Sequence, residues 1–140
     1  MKIIADTNLL VRLAVNDDPG QRRAAARAVE EAEIVIVGLH ALCEMAWVLR
    51  AKYRSSRDQI IPAIESLCGI ENVVVDKAAV NAGLDAMRSG ADFADAVIAY
   101  EGRMAGGDVF VSFDEKAVDV LTNLGIKSRL LGSLQTEPGI

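Results

Sequence analysis

The chain has 140 residues, of which 51% are apolar and 25% are charged, and its formal net charge is −5. This length suits one domain with a substantial core, and the composition excludes a disordered chain. The acidic balance lacks the basic surface that usually accompanies nucleic-acid binding, so bulk charge alone argues against that function. The start lacks the apolar length of a secretory signal, and later apolar stretches are too short to span a membrane. We therefore expect a cytoplasmic protein.

Short apolar runs alternate with stretches of helical periodicity along the chain. The predicted strands are Lys2–Ala5, Ile34–Val37, 72–75, 109–112 and 127–131. Five predicted helices have both ends defined: 21–33, 39–54, 77–89, 92–105 and Glu115–Asn123. A further helix follows the first strand after a corner over 6–8, and another begins with a capping box at Ser56. This alternation predicts an α/β fold with a parallel sheet and right-handed crossovers. The β-branched run Ile34–Val37 is typical of a strand buried on both faces. No linker divides the chain, so we expect one domain over 1–133 and a fraying tail over 134–140.

The first strand stops abruptly at Asp6, which is followed by Thr7 and Asn8. Ligands of open parallel sheets bind outside the carboxyl ends of the strands, so an acid at that point is well placed for chemistry. An equally good interpretation is that Asp6 only caps the following helix. Asp114 follows the fourth strand and has the same two interpretations. If the two strands are neighbours, both carboxylates face one crevice.

Glu44 stands in a largely apolar helical stretch, and no other acid occurs between Glu33 and Asp58. A charged carboxylate on an inward face is costly unless it is paired or bound to a metal ion, which favours a functional role. The alternative is that Glu44 lies on a solvated stripe or pairs with Arg50 or His40.

Asp92 and Asp95 are three residues apart at the start of a predicted helix, so they share a face near its positive end. Asp92 could instead be the helix cap, with Asp95 as a first-turn acid. Hard carboxylate oxygens suit Mg²⁺ or Mn²⁺. Two divalent ions among five such acids would leave a local charge of about −1, so the overall acidity does not exclude a phosphodiester substrate.

Other candidates have weaker signals. His40 is the only histidine and lacks an obvious Ser or Cys partner, so a structural role is expected. Trp47 is expected in the core rather than as a base-stacking surface. Four cations could follow a phosphate backbone, although a solvated helix end explains them as well: Arg50, Lys52, Arg54 and Arg57.

Four stretches together resemble the PIN-domain ribonucleases, specifically the VapC-type toxins of bacterial toxin–antitoxin pairs: IIADTNLLVRLAVNDDP, LHALCEMAWVLRAKYRSSRDQI, GADFADAVIAY and VFVSFDEKA. The resemblance extends from the first residue to about Leu131. It implies a three-layer α/β/α domain whose five parallel strands have the order 3-2-1-4-5, which makes the first and fourth strands neighbours. It also implies catalytic and metal-binding roles for Asp6, Glu44, Asp95 and Asp114, with Asp92 as a further ligand. Polar positions that line such sites match Thr7, Asn8 and Ser112.

By the same resemblance, the chain is expected to be an endoribonuclease that holds one or two Mg²⁺ or Mn²⁺ ions and hydrolyses RNA with a metal-activated water. The implied partners are an RNA substrate, a small DNA-binding antitoxin of the VapB type and a second copy of the chain. Two alternatives stay open. One is a non-catalytic PIN-like module that binds RNA or protein. The other is an acidic phosphotransfer domain, although the sequence lacks the paired acids or the D-x-D motif that such domains need.

Overall fold

The computed structural model describes residues 1–132, and the predicted tail over 134–140 lies outside them. The strands are β1 Lys2–Ala5, β2 Ile34–Val37, β3 Val73–Val74, β4 Phe110–Ser112 and β5 Ser128–Leu130. The helices are α1 Thr7–Ala14, α2 Pro19–Glu31, α3 Leu39–Ala51, α4 Arg57–Cys68, α5 Lys77–Arg88, α6 Phe93–Met104 and α7 Glu115–Asn123. The chain forms two compact units, Met1–Val80 and Asn81–Ile140, and the division falls within α5.

The first unit is built on a parallel sheet in the order β1-β2-β3, in which Ile4, Ile36 and Val74 are aligned across the three strands. Val35 and Val37 are buried on one face of β2, whereas Ile36 on the other face is 38% exposed. The expectation that β2 is buried on both faces is therefore wrong, because successive residues of a strand point to opposite faces and only one is covered.

Helices α1 and α3 pack against each other in the first unit, and α3 also contacts α4. Leu10 of α1 and Leu42 of α3 are fully buried, as is Ile64 of α4. Burying each of these side chains contributes roughly 1.5–3 kcal/mol relative to exposure. This packing holds the start of α1, which directly follows β1, beside α3.

The second unit contains a parallel pair, β4-β5, and a small apolar core. In this unit the later part of α5 approaches α6 closely at Gly83, where an added Cβ would lie 2.4 Å from Cε2 of Phe93. Gly90, with φ of 99°, ends α5 in a left-handed conformation. The N–H of Ala91 then donates to the carbonyl of Ala86 at 2.9 Å, which completes a Schellman cap. The cap and the Gly83 contact together set where α6 begins.

The mixed α/β class and the parallel strands are confirmed. The predicted neighbours β3, β2 and β1 form one sheet, and the predicted neighbours β4 and β5 form another. The predicted adjacency of β1 and β4 stays a prediction. Helix α2 begins two residues earlier than expected, because Asp18 Oδ1 accepts from Gln21 N at 3.1 Å and Pro19 fits the first helical position. Helix α3 ends three residues early, before Arg54, whose φ of 54° is not helical.

Within residues 1–132, the longest helices have 13 residues, and none is long and apolar enough to cross a membrane.

Candidate active site

Asp6 lies between β1 and α1 and is the N-cap of that helix. Its Oδ1 accepts a hydrogen bond from the N–H of Leu9 at 2.9 Å. The capping interpretation of Asp6 is thus confirmed, and the cap satisfies one of the amides that a helix start leaves without a partner. This bond engages one of the two carboxylate oxygens, so the capping role and a cation-binding role are compatible. Asn8, at the second position of the same helix, is exposed.

Glu44 is held between two side chains of the first unit. Thr7 Oγ1 donates to Glu44 Oε2 at 3.2 Å, and His40 Nε2, one turn earlier on α3, contacts Glu44 Oε1. The Glu44 side chain is 51% exposed, so the expectation of an inward-facing carboxylate is wrong and the pairing with His40 is confirmed. The bond from Thr7 nevertheless ties Glu44 to the residue that follows Asp6. We call Asp6, Thr7 and Glu44 the amino-terminal group.

Asp92 and Asp95 lie at the start of α6, as predicted. Asp92 is the N-cap residue, although its side chain makes no capping hydrogen bond, and Asp95 is in the first turn. Burial raises the pKa of the Asp95 carboxyl, and the charges of Asp92 and Asp114 raise that pKa further. Asp92 and Asp114 therefore each repel Asp95 when the carboxylates are ionised, and we call these three acids the carboxy-terminal group.

Asp114 follows β4 and caps α7, where its Oδ1 accepts from Ala117 N at 3.1 Å. Its own backbone N–H donates to Ser112 Oγ at 3.0 Å. Asp114 thus repeats the arrangement of Asp6, in which a strand ends and the next helix is capped by an acid. Ser112 holds this corner in place, and its predicted role in lining a site stays a prediction.

The structure therefore brings the predicted residues together as two groups, one in each unit. Neither unit, over its described residues, assembles three or more His, Cys, Asp or Glu side chains in an arrangement that could hold a metal ion. The donor chemistry still fits Mg²⁺ or Mn²⁺, since the candidate ligands are carboxylate oxygens. The mutual repulsion around Asp95 is what a divalent cation would relieve. That the two groups form one site stays a prediction.

The expectation for Trp47 is wrong, since this side chain is 69% exposed. Helix α3 buries Leu42, Met45 and Leu49, and Trp47 falls on the opposite face with Glu44. Helical spacing predicts that Glu44 and Trp47 share a face, because they are three residues apart, but it does not predict that this face is the exposed one. The position of Trp47 on a helix that carries a predicted catalytic residue makes its exposure relevant to function.

The chain is similar to a known protein family and to several solved structures. The family model described as the PIN domain matches residues 3–121, a range that contains every predicted site residue. The crystal structure of VapC20 from Mycobacterium tuberculosis, a toxin that cleaves the sarcin-ricin loop, aligns at 16% sequence identity with a TM-score of 0.42. That alignment covers 90% of this chain and 96% of VapC20. No curated protein sequence matches the chain.

Proposed function

The chain belongs to the PIN-domain family, and we propose that it is a metal-dependent endoribonuclease and the toxin of a VapBC-type pair. The observation that carries the proposal is the carboxy-terminal group, in which a half-buried Asp95 lies within electrostatic range of Asp92 and Asp114. Carboxylates that repel one another destabilise a fold, and such perturbed clusters are enriched at functional sites. The sequence resemblance to VapC-type toxins supports the proposal that the chain is the toxin of a VapBC-type pair.

We assign the metal ligands to Asp6, Glu44, Asp95 and Asp114, with Asp92 as a further ligand. Bound Mg²⁺ or Mn²⁺ would lower the pKa of a water molecule and stabilise negative charge on the scissile phosphate. That both groups serve one phosphodiester rests on the family and on the order of the acids along the chain.

The protein side chains have separate tasks in this proposal. Leu9 N holds one oxygen of Asp6 and Ala117 N holds one oxygen of Asp114, so the direction of each carboxylate is set by its helix. Thr7 orients Glu44 through its Oε2. Pre-oriented ligands bind a cation with less loss of side-chain entropy than mobile ones do.

Attack of water on phosphorus would break the bond to the 3′ oxygen. The products would be a 3′-hydroxyl and a 5′-phosphate, without use of the neighbouring 2′-hydroxyl. A deoxyribose at the cleaved position should therefore still be accepted, provided that binding does not depend on the 2′-hydroxyl.

The biological partners belong to the proposal as well. We expect a small DNA-binding antitoxin that covers the acidic residues, a homodimeric toxin and a cytoplasmic location. These expectations rest on the resemblance to VapC-type toxins.

The test is cleavage of a structured RNA by the purified protein, with end-group analysis by mass spectrometry. Wild type should cleave with Mg²⁺ or Mn²⁺ and stop on addition of EDTA, whereas Asp95→Asn should be inactive. Asp119→Asn is a matched control, because Asp119 is an exposed acid on α7 outside both groups. Cleavage that survives EDTA, or equal cleavage by Asp95→Asn, contradicts the mechanism. RNA binding without cleavage under every condition would favour the non-catalytic alternative.

A further inference from the structure

Helix α3 presents one exposed stripe along its length. Its exposed members include His40, Glu44, Trp47 and Arg50, which follow one another at spacings of four, three and three residues. Residues at these spacings lie on one face of a helix, and each step of three advances about 4.5 Å along the axis. The stripe therefore leads from a proposed catalytic carboxylate, past an aromatic ring, to a guanidinium.

Trp47 is an unusual residue to leave in water. Burial of a Trp side chain removes roughly 150–250 Å² from solvent, yet this one is 69% exposed. No other large apolar side chain of α3 is exposed, and its neighbours along the stripe are charged. Large contiguous apolar patches mark protein-docking surfaces, and α3 has none, whereas proteins that bind single-stranded nucleic acids combine aromatic rings with nearby cations.

The charges on the stripe also favour a nucleic acid. Arg50 is one turn beyond Trp47, and Lys52 and Arg54 are exposed just past the helix end. A cation one turn away from an aromatic ring can neutralise the phosphate next to a stacked base. Toward the other end, Glu44 belongs to the proposed metal site. The order of acid, ring and cation matches the order of scissile phosphate, base and next phosphate along an RNA strand.

We propose that Trp47 is a stacking surface for an unpaired base of the RNA substrate, with Arg50 at an adjacent phosphate. This inference rests on the proposed function, since it names how the substrate of that same site is held. It assigns Trp47 to substrate binding and not to the chemical step. Stacking on an aromatic ring tolerates any base, so Trp47 selects single-stranded RNA over duplex and contributes little to base identity.

The experiment uses the fluorescence of Trp47, the only tryptophan of the chain. Full-length Asp95→Asn protein in EDTA is titrated with a single-stranded RNA octamer of mixed sequence, so that binding is measured without cleavage. We expect quenching that saturates, whereas the same octamer in a duplex should quench little because its bases are already stacked. A parallel titration by fluorescence anisotropy of labelled RNA gives the affinity of variants that lack the tryptophan.

The variants separate stacking from other roles. Trp47→Ala should weaken binding of the octamer about 5- to 150-fold, the range that base–aromatic stacking supplies. Trp47→Phe keeps an aromatic face and should bind within about threefold of the parent. Met104→Ala is the matched control, because Met104 is an equally exposed apolar residue at the C-terminal end of α6. The affinity of this variant for the octamer should equal that of the parent. Circular dichroism checks that each variant is folded.

Three results would overturn the inference: an octamer that binds without quenching, a Trp47→Ala variant that binds as the parent does, or a Trp47→Ala variant that changes only the mass of the assembly in light scattering. The last result would assign Trp47 to a protein interface. Failure of the proposed nuclease function is distinguishable, because wild type would then bind and quench with the octamer yet cleave no RNA in Mg²⁺.

Discussion

Asp6 caps α1 and is also a proposed cation ligand, and a pair of substitutions can separate these two roles. In the wild-type chain Leu9 N lies 2.9 Å from Asp6 Oδ1. Asp6→Asn keeps a side-chain oxygen that can accept this hydrogen bond but removes the charge that would bind a cation. Asp6→Ala removes both. Asn is as good an N-cap as Asp, whereas Ala costs about 0.5–2 kcal/mol of stability.

For a chain of this length, 1 kcal/mol corresponds to roughly 3 °C in melting temperature. In EDTA we therefore expect Asp6→Ala to melt roughly 2–6 °C below wild type and Asp6→Asn to melt within about 1 °C of it. With Mg²⁺ at a hundredfold excess over its dissociation constant, wild type should gain about 2.7 kcal/mol by linkage, or roughly 8 °C. Both variants should gain much less.

The assay is thermal unfolding followed by circular dichroism, with and without Mg²⁺, at constant ionic strength. Equal Mg²⁺ shifts for wild type and Asp6→Asn would mean that Asp6 is a helix cap and not a ligand. Equal stability of Asp6→Asn and Asp6→Ala in EDTA would refute the capping argument instead.

Three further predictions concern the stability of the fold. The hydrogen bond from the Tyr53 hydroxyl lowers the pKa of Asp17. The charge of Asp17 therefore stabilises the fold above the unfolded pKa of about 3.9, and this gain is lost as pH falls through the lower folded pKa. Asp17→Asn should be less stable than wild type at pH 7 in urea unfolding, and the difference should shrink as pH is lowered below the unfolded pKa. Asp95→Asn should raise the melting temperature in EDTA, because it removes a half-buried charge that its neighbours repel, and a lower melting temperature would refute that repulsion. Gly83→Ala should lower the free energy of unfolding by about 1–3 kcal/mol in the same urea assay. The new Cβ would lie 2.4 Å from the Phe93 ring, whereas ordinary van der Waals contact begins at 3.4 Å. Unchanged stability would show that α5 and α6 can separate freely.

The regular elements were the most predictable part of the chain. Strands β1 and β2 and helix α7 have the predicted bounds. Each is flanked by residues with a strong local preference: Asp6 and Gly38 follow the strands, and Asp114 precedes the helix. Helix ends that depend on backbone conformation were missed, as at Arg54, because no residue type there announces a left-handed φ.

The candidate residues were predictable in identity but not in orientation. Helix α3 carries apolar residues around most of its circumference, so its sequence did not reveal that Glu44 and Trp47 are on the exposed face. Asp6 and Asp114 posed a different difficulty, since Asp is favoured both as an N-cap and as a metal ligand. The structure confirms the capping role of each, and a capping bond to one oxygen leaves the second role compatible.

Direct binding of Mn²⁺ tests most directly the claim that these carboxylates hold a divalent cation. The electron paramagnetic resonance signal of free Mn²⁺, followed during titration into the full-length protein, counts the bound ions and gives their affinity. We predict one or two Mn²⁺ ions per wild-type chain, displaced by Mg²⁺, with binding weakened at least tenfold in Asp95→Asn and unchanged in Asp119→Asn. Equal Mn²⁺ binding by wild type and Asp95→Asn would contradict the claim.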